Sequence, residues 1–172
     1  TITALQLAEE WAEQTGRTVV PVFWVEGEDH DFEEIATAPV LRRNEVVSLP
    51  YEPGVSENPG AVGRLRITNA IDDVLDRLEE TLPDSDFKPE VMAKVRAAYQ
   101  SGTPIEDAFA HLHRSLFEGE GLVYMNPDDE RLKGLTRPLF RKELEDPETP
   151  AARVDATSQV LRDRGYHAQV HA

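Results

Sequence analysis

The sequence predicts an α/β fold with a mainly parallel core sheet, and three observations carry that prediction. A run of β-branched and aromatic residues over 19–25 (Val19, Val20, Val22, Phe23, Trp24, Val25) passes within one residue into Glu26, Glu28, Asp29, Asp31, Glu33 and Glu34. An apolar run this short, with polar bounds, suits a strand buried on both faces. A second such run, 122–125, follows Gly119 and Gly121 and turns away at Asn126-Pro127-Asp128. The third observation is helical periodicity over 2–15, directly before the first strand. Helix, strand and acidic loop in that order make half of a doubly wound unit.

Along helix 2–15, Ala4, Leu5, Ala8, Trp11 and Ala12 share one face and Gly16 supplies the stop. Trp11 and Trp24 are read as core residues. Pro21 has no N–H to give a ladder, so it belongs near the start of its strand. Past the acidic loop the texture changes to short strands. Residues 38–42 and 45–49 flank a tight turn at Arg43-Asn44, and 60–67 reads as another strand after a loop rich in Pro and Gly.

Three helices follow. Asn69 is the expected cap of a helix with the stripe Ile71, Val74, Leu75, Leu78 and Leu82, stopped by Pro83. Pro89 starts a second, bearing Val91, Met92, Val95 and Tyr99. Thr103-Pro104-Ile105-Glu106 reads as a capping box opening a third, with Ile105, Ala108, Phe109, Leu112, Leu116 and Phe117 on its apolar face. After the 122–125 strand comes a helix rich in acids at its start, which Pro138 should kink or interrupt before 139–144. Thr149-Pro150 opens a last helix to Arg164, closed by Gly165, and 166–170 returns to strand character.

Composition narrows the function classes. The 172 residues are enough to bury a real core, and 18 basic against 33 acidic residues give a net charge of -15. A polyanion is repelled by such a field, and no basic run is long enough to make a local exception, so nucleic acid is not an expected partner. There is no cysteine, which excludes a disulfide framework, a thiolate nucleophile and thiolate metal ligands. No apolar run approaches the roughly 20 residues of a membrane span, so no membrane partner is expected; no signal peptide is visible, and cytoplasm is the default.

The carboxyl end of a strand in an open α/β sheet is where ligands bind, which makes Glu28, Asp29, His30 and Asp31 the first candidates for chemistry. Three readings stay open on the residues alone. The acids can sit at the N-terminus of a short helix, favoured by its dipole. They can bind a hard cation such as Mg²⁺. Or His30, its cationic form favoured by Asp29 and Asp31, can bind substrate or move protons. Arg42, Arg43, Arg64 and Arg66 either balance surface carboxylates or bind an anionic substrate through the planar guanidinium. His111 and His113, two apart on a helix, point to different faces and cannot share a metal. Asn126 and Asp128 end the second strand and are either site residues or turn and cap residues.

The string PVFWVEGEDHDFEEI resembles the hallmark segment of the bacillithiol-biosynthesis cysteine-adding enzymes. ITALQLAEEW, the G-x-V-G-R-L stretch over 60–65, DAFAHLHRSLF, GLVYMNPDDERLKGLTRPLFRKEL and GYHAQV agree in the same order, so the resemblance covers nearly the whole chain. Members of that family run to several hundred residues, with a Gln- and Gly-rich segment before the first helix and a long coiled coil afterwards. An internal fragment is therefore the expectation. Relatives also carry a more polar pair where this chain has Ala36 and Thr37.

The resemblance implies a discontinuous, Rossmann-like core, 1–36 plus 120–172, interrupted by an inserted strand-and-helix module, 37–119, that shapes the substrate cleft. It implies a ligase joining the carboxyl group of cysteine to the amine of glucosaminyl malate, and a homodimer through a coiled coil outside this chain. Glu28, Asp29, His30 and Asp31 become the catalytic candidates; Trp24, Arg64, Asn126, His167 and Gln169 become the substrate-binding ones. Amide formation from a free carboxylate is uphill, so the reaction type calls for ATP and Mg²⁺, although the chain holds no phosphate-binding Gly-rich motif. Two rivals belong to other classes: a metal-dependent hydrolase using the EDHD loop as ligands, and a non-catalytic α/β interaction module.

Overall fold

In the computed structural model, which describes residues 1–29, 31–54 and 60–170, the chain divides into two units, Thr1–Asp128 and Asp129–Ala172. The first unit holds helix α1 (Ile2–Thr15), strand β1 (Val22–Trp24), the hairpin β2 (Thr37–Arg42) and β3 (Glu45–Pro50), helices α2 (Ala70–Thr81), α3 (Lys88–Ala98) and α4 (Ile105–Leu116), and strand β4 (Val123–Met125). The second holds helices α5 (Glu130–Glu145) and α6 (Glu148–Asp163).

Strands β1 and β4 pair in parallel, with Val22 opposite Val123, Phe23 opposite Tyr124 and Trp24 opposite Met125. The expected parallel pairing of the two apolar runs is thus observed, over a shorter length. Pro21 sets the start: its carbonyl accepts from Val123 N–H at 3.0 Å, while its own nitrogen has nothing to donate. The expectation of burial on both faces needs correcting. Phe23 packs against the His113 ring (4.4 Å between centroids), Phe109 and Tyr124, whereas Val22 and Trp24 on the other face are half exposed. Trp11, expected in the core of α1, is likewise 54% exposed; Ala8 is the buried residue of that helix.

The hairpin forms as its turn residues predict. Leu49 faces inward, 1% exposed, and Arg43 adopts a positive φ of 54° in the turn. A small core lies where α2 meets α4: Ile67, Ile71, Leu75 and Ala108 are buried, with Tyr51, Val74, Leu78, Val95, Tyr99 and Ile105 packed around them. Each large aliphatic side chain buried there stabilises the unit by about 1.5–3 kcal/mol.

Four local expectations differ from what forms. Residues 60–67 do not make a strand; Val62–Arg64 is a 3-10 turn, followed by a single bridge between Arg66 and Pro104. The reason is that Val62, Gly63, Leu65 and Ile67 direct their backbone groups to Asp29, Gly27, Ile105 and Thr103 rather than to a neighbouring strand. Asn69 occupies the cap position of α2 without a side-chain bond. Helix α4 is capped by Pro104, not by a Thr103–Glu106 box, and Glu106 turns elsewhere. Helix α5 runs from Glu130 to Glu145 with Pro138 inside it, so of the expected kink or interruption the interruption does not occur.

In the second unit, Asp129 caps α5 by accepting from Arg131 N–H at 2.8 Å, and Gly165 closes α6 with a φ of 79°. The strand expected over 166–170 is absent. That segment is irregular, Ala168 is its buried residue, and Ser158 Oγ donates to the Val170 carbonyl at 3.2 Å. That bond meets one carbonyl of the segment without a ladder partner.

Candidate functional site

The parallel pairing carries β1 and β4 to a common end. Val25 N–H donates to the Met125 carbonyl at 2.9 Å, and beyond it the two chains emerge as the 26–29 loop and the 126–128 turn. The loop is stitched to the Val62–Arg64 turn by two backbone bonds: Gly63 N–H to the Gly27 carbonyl at 2.9 Å, and Val62 N–H to the Asp29 carbonyl at 2.6 Å. The crossing itself requires the glycine at position 63. A Cβ on Gly63 would stand 2.8 Å from Gly27 Cα, closer than packed carbon atoms can approach.

Arg64 projects from that turn and holds Asp128 in a two-pronged pair, Nε to Oδ2 at 2.6 Å and Nη2 to Oδ1 at 2.7 Å. The Asp128 side chain is only 12% exposed and the Arg64 side chain 67%. Hydrogen bonding and charge from Asp128, opposed by desolvation and helped by Glu106 and Glu28, hold the guanidinium above its ordinary pKa. Asn126 fixes the turn, its Oδ1 accepting from Asp128 N–H at 2.9 Å. In the loop, Asp29 Oδ1 accepts from Asp31 N–H at 3.1 Å.

Glu106, from the first turn of α4, enters this arrangement from the side. Its Oε2 is shut off from solvent and meets no hydrogen-bond donor among the described residues. Burial pushes its carboxyl pKa up; the Asn126 side chain opposes this, Asp107 and Asp128 add to it, and Arg64 opposes it. Glu106 and Glu26 are the charged residues on the lining of an otherwise apolar cavity of about 590 Å³, along with Trp24, Tyr51, Val62 and Phe109.

The structure therefore brings Glu28, Asp29, Asp31, Arg64 and Asn126 into one neighbourhood, with Trp24 on the adjoining cavity. His30 lies outside the described residues. His167 and Gln169 belong to the second unit, where both are exposed. Glu106 and the pair Gly27 and Gly63 were missed as site residues. The available signal was a G-x-V-G stretch whose second glycine had no turn to explain it, together with an acid at the start of α4 that the capping box absorbed. Among the described residues no group of three or more His, Asp or Glu side chains is placed to hold a metal ion, and no helix is long and apolar enough to cross a membrane.

A family model described as "Bacillithiol biosynthesis BshC, N-terminal Rossmann-like domain" matches residues 1–172. The chain belongs to the BshC family. It is 72% identical over 172 residues to a protein of Salinibacter ruber, covering 100% of this chain and 31% of that protein. Over 171 residues it is 34% identical to a protein of Chloroherpeton thalassium, covering 98% and 30%. Over 181 aligned positions it is 29% identical to a protein of Symbiobacterium thermophilum, covering 98% and 33%. Each of the three bears the name "Putative cysteine ligase BshC". The chain thus spans about a third of the length of these curated BshC relatives, and its fold is Rossmann-like with a parallel sheet.

Proposed function

We propose that this domain serves a BshC ligase that joins the carboxyl group of cysteine to the amine of glucosaminyl malate, with the acidic loop holding and deprotonating the amine. The observation that carries this reading is the loop's position: Glu28 and Asp29 stand at the common carboxyl end of β1 and β4, tied by backbone bonds to the turn bearing Arg64. A carboxylate cluster attracts an ammonium group, and a neutral amine is the form that attacks an activated carboxyl. Glu28, Asp29, His30 and Asp31 take the catalytic roles. Trp24, Arg64 and Asn126 bind substrate in the first unit, and His167 and Gln169 are proposed as substrate-binding residues of the second; with Asp128 on the Nε and Nη2 edge of Arg64, a substrate carboxylate would meet the Nη1 edge.

The whole-protein features form part of the same proposal. Rossmann-like segments 1–36 and 120–172 flank an inserted module, 37–119, a division supported by the pairing of β1 with a strand that returns only after the hairpin and three helices. The enzyme is cytoplasmic and dimerises through a coiled coil outside these residues. ATP and Mg²⁺ belong to the proposal from the reaction type alone: when bound, they would supply the activation that a free cysteine carboxylate needs. The described residues do not fit a triphosphate by themselves, because carboxylates surround the one guanidinium at the loop and that guanidinium is already paired.

The test is direct. A full-length BshC protein carrying this domain is incubated with cysteine, glucosaminyl malate, ATP and Mg²⁺, and bacillithiol is measured by mass spectrometry. Product that depends on ATP is the expected result. No product in the complete mixture sinks the ligase reading, and equal product without nucleotide removes the activation step.

A further inference from the structure

Glu106 touches three separate pieces of the candidate site at once. Its Oε2 lies so close to Gly27 and Gly63 that a Cβ on either glycine would overlap it. The Asn126 side chain lies near enough to favour its charged form. Gly27 directly precedes Glu28, Gly63 directly precedes Arg64, and Asn126 holds Asp128 through its Oδ1. One side chain from α4 therefore sets the spacing between the acidic loop and the Arg64–Asp128 pair. A buried oxygen without a donor is unfavourable. Local conflicts of this kind concentrate where function requires a fixed geometry.

We propose that Glu106 is a positioning residue of the ligase site, setting the acidic loop against the Arg64–Asp128 pair through its shape. The inference rests on the ligase reading above for its activity readout and on packing alone for the rest. Burial, with Asp107 and Asp128 facing the group, favours the neutral carboxyl, while Asn126 and Arg64 pull the other way. A carboxyl and a carboxamide have nearly the same outline, so glutamine can stand in for the shape of Glu106.

Two experiments decide the matter. In the full-length enzyme, Glu106→Ala lowers kcat at least about tenfold with KM changed less than about threefold, and Glu106→Gln restores kcat to within about threefold of the parent. Full activity in Glu106→Ala overturns the proposal, and so does Glu106→Gln as inactive as alanine, which would make the charge the working part. Separately, Gly27→Ala lowers the melting temperature of the 172-residue chain, and far less so in a Glu106→Ala background, where the overlap with Oε2 is gone and the contact with Gly63 Cα at 3.3 Å remains. Additive losses would show that the carboxyl does not fill the niche between the glycines, and would overturn the proposal on that ground. Absence of product from the parent enzyme would count against the ligase reading and leave the melting experiment to judge Glu106.

Discussion

Arg64 grips Asp128 through two parallel hydrogen bonds of 2.6 and 2.7 Å, and this pair ties the Val62–Arg64 turn to the end of β4. Lysine carries the same charge but cannot form the fork. Arg64→Lys in the full-length enzyme is therefore expected to lower kcat/KM by about tenfold, close to the loss of Arg64→Ala. If lysine restores most of the activity, charge alone matters at this position and the fork does not.

The acidic loop gives a second prediction. His30→Ala lowers turnover at least tenfold, about 1.4 kcal/mol of transition-state stabilisation, with the melting temperature nearly unchanged. Its place in the sequence, between Asp29 and Asp31 rather than in an apolar stripe, motivates this. A matching drop in stability and activity would instead make His30 a packing residue.

Much of this architecture was legible because it is written in short-range patterns. The Arg43-Asn44 turn, the α2 stripe of Ile71, Val74, Leu75 and Leu78, and the glycine stops at Gly16 and Gly165 each depend on neighbours within a few residues. The pairing of β1 with β4 was legible too, since each run ends abruptly in polar residues. What the pattern did not reveal depends on distant partners. Residues 60–67 have the apolar texture of a strand, but their backbone bonds go to the 27–29 loop and to the segment before α4. Glu106 satisfied the spacing of a capping box while its side chain was committed to two glycines far away in sequence. The exposure of Trp11 and Trp24 was equally hidden, because a residue's type does not say whether a partner surface covers it.

The core at α2 yields a stability prediction. Leu75 is 5% exposed within the cluster of Ile67, Ile71 and Ala108, so Leu75→Ala destabilises the chain by about 2–4 kcal/mol in denaturant unfolding. Leu144→Ala, at an 82% exposed position, costs less than about 0.5 kcal/mol. Equal losses would mean that the cluster is not the core of the first unit.

His113 gives the chain a pH dependence whose sign can be worked out. Its ring sits among Phe23, Phe117 and Tyr124, with Nδ1 at 2.7 Å from the Tyr124 hydroxyl, and burial lowers its pKa from the ordinary 6.5. The folded state thus binds its proton less readily than the unfolded one. Stability associated with this group is fully present above pH 6.5 and is lost as pH falls through that value toward the folded pKa. Melting temperatures measured from about pH 7.5 to about pH 5, a range that brackets an unperturbed histidine, should fall more for the parent than for His113→Gln. A parallel decline in both proteins would show that His113 does not contribute.

The 172-residue chain by itself is expected to be catalytically inactive even when folded. Amide ligation must hold a carboxylate, an amine and an activating group together, and positioning supplies much of the barrier reduction. Near the loop the described residues provide the carboxylates of Glu28, Asp29, Glu106 and Asp128 and one guanidinium already paired with Asp128. With a net charge of -15, the chain's average field repels both a nucleotide and a malate-bearing sugar unless basic groups or backbone N–H donors are brought to them. The BshC relatives are about three times as long, which leaves ample sequence to supply those donors. The purified chain, given cysteine, glucosaminyl malate, ATP and Mg²⁺, should yield no bacillithiol under conditions where a full-length relative does. Product at a comparable rate would locate the whole catalytic apparatus within these residues and require that the phosphate-binding groups be sought among them.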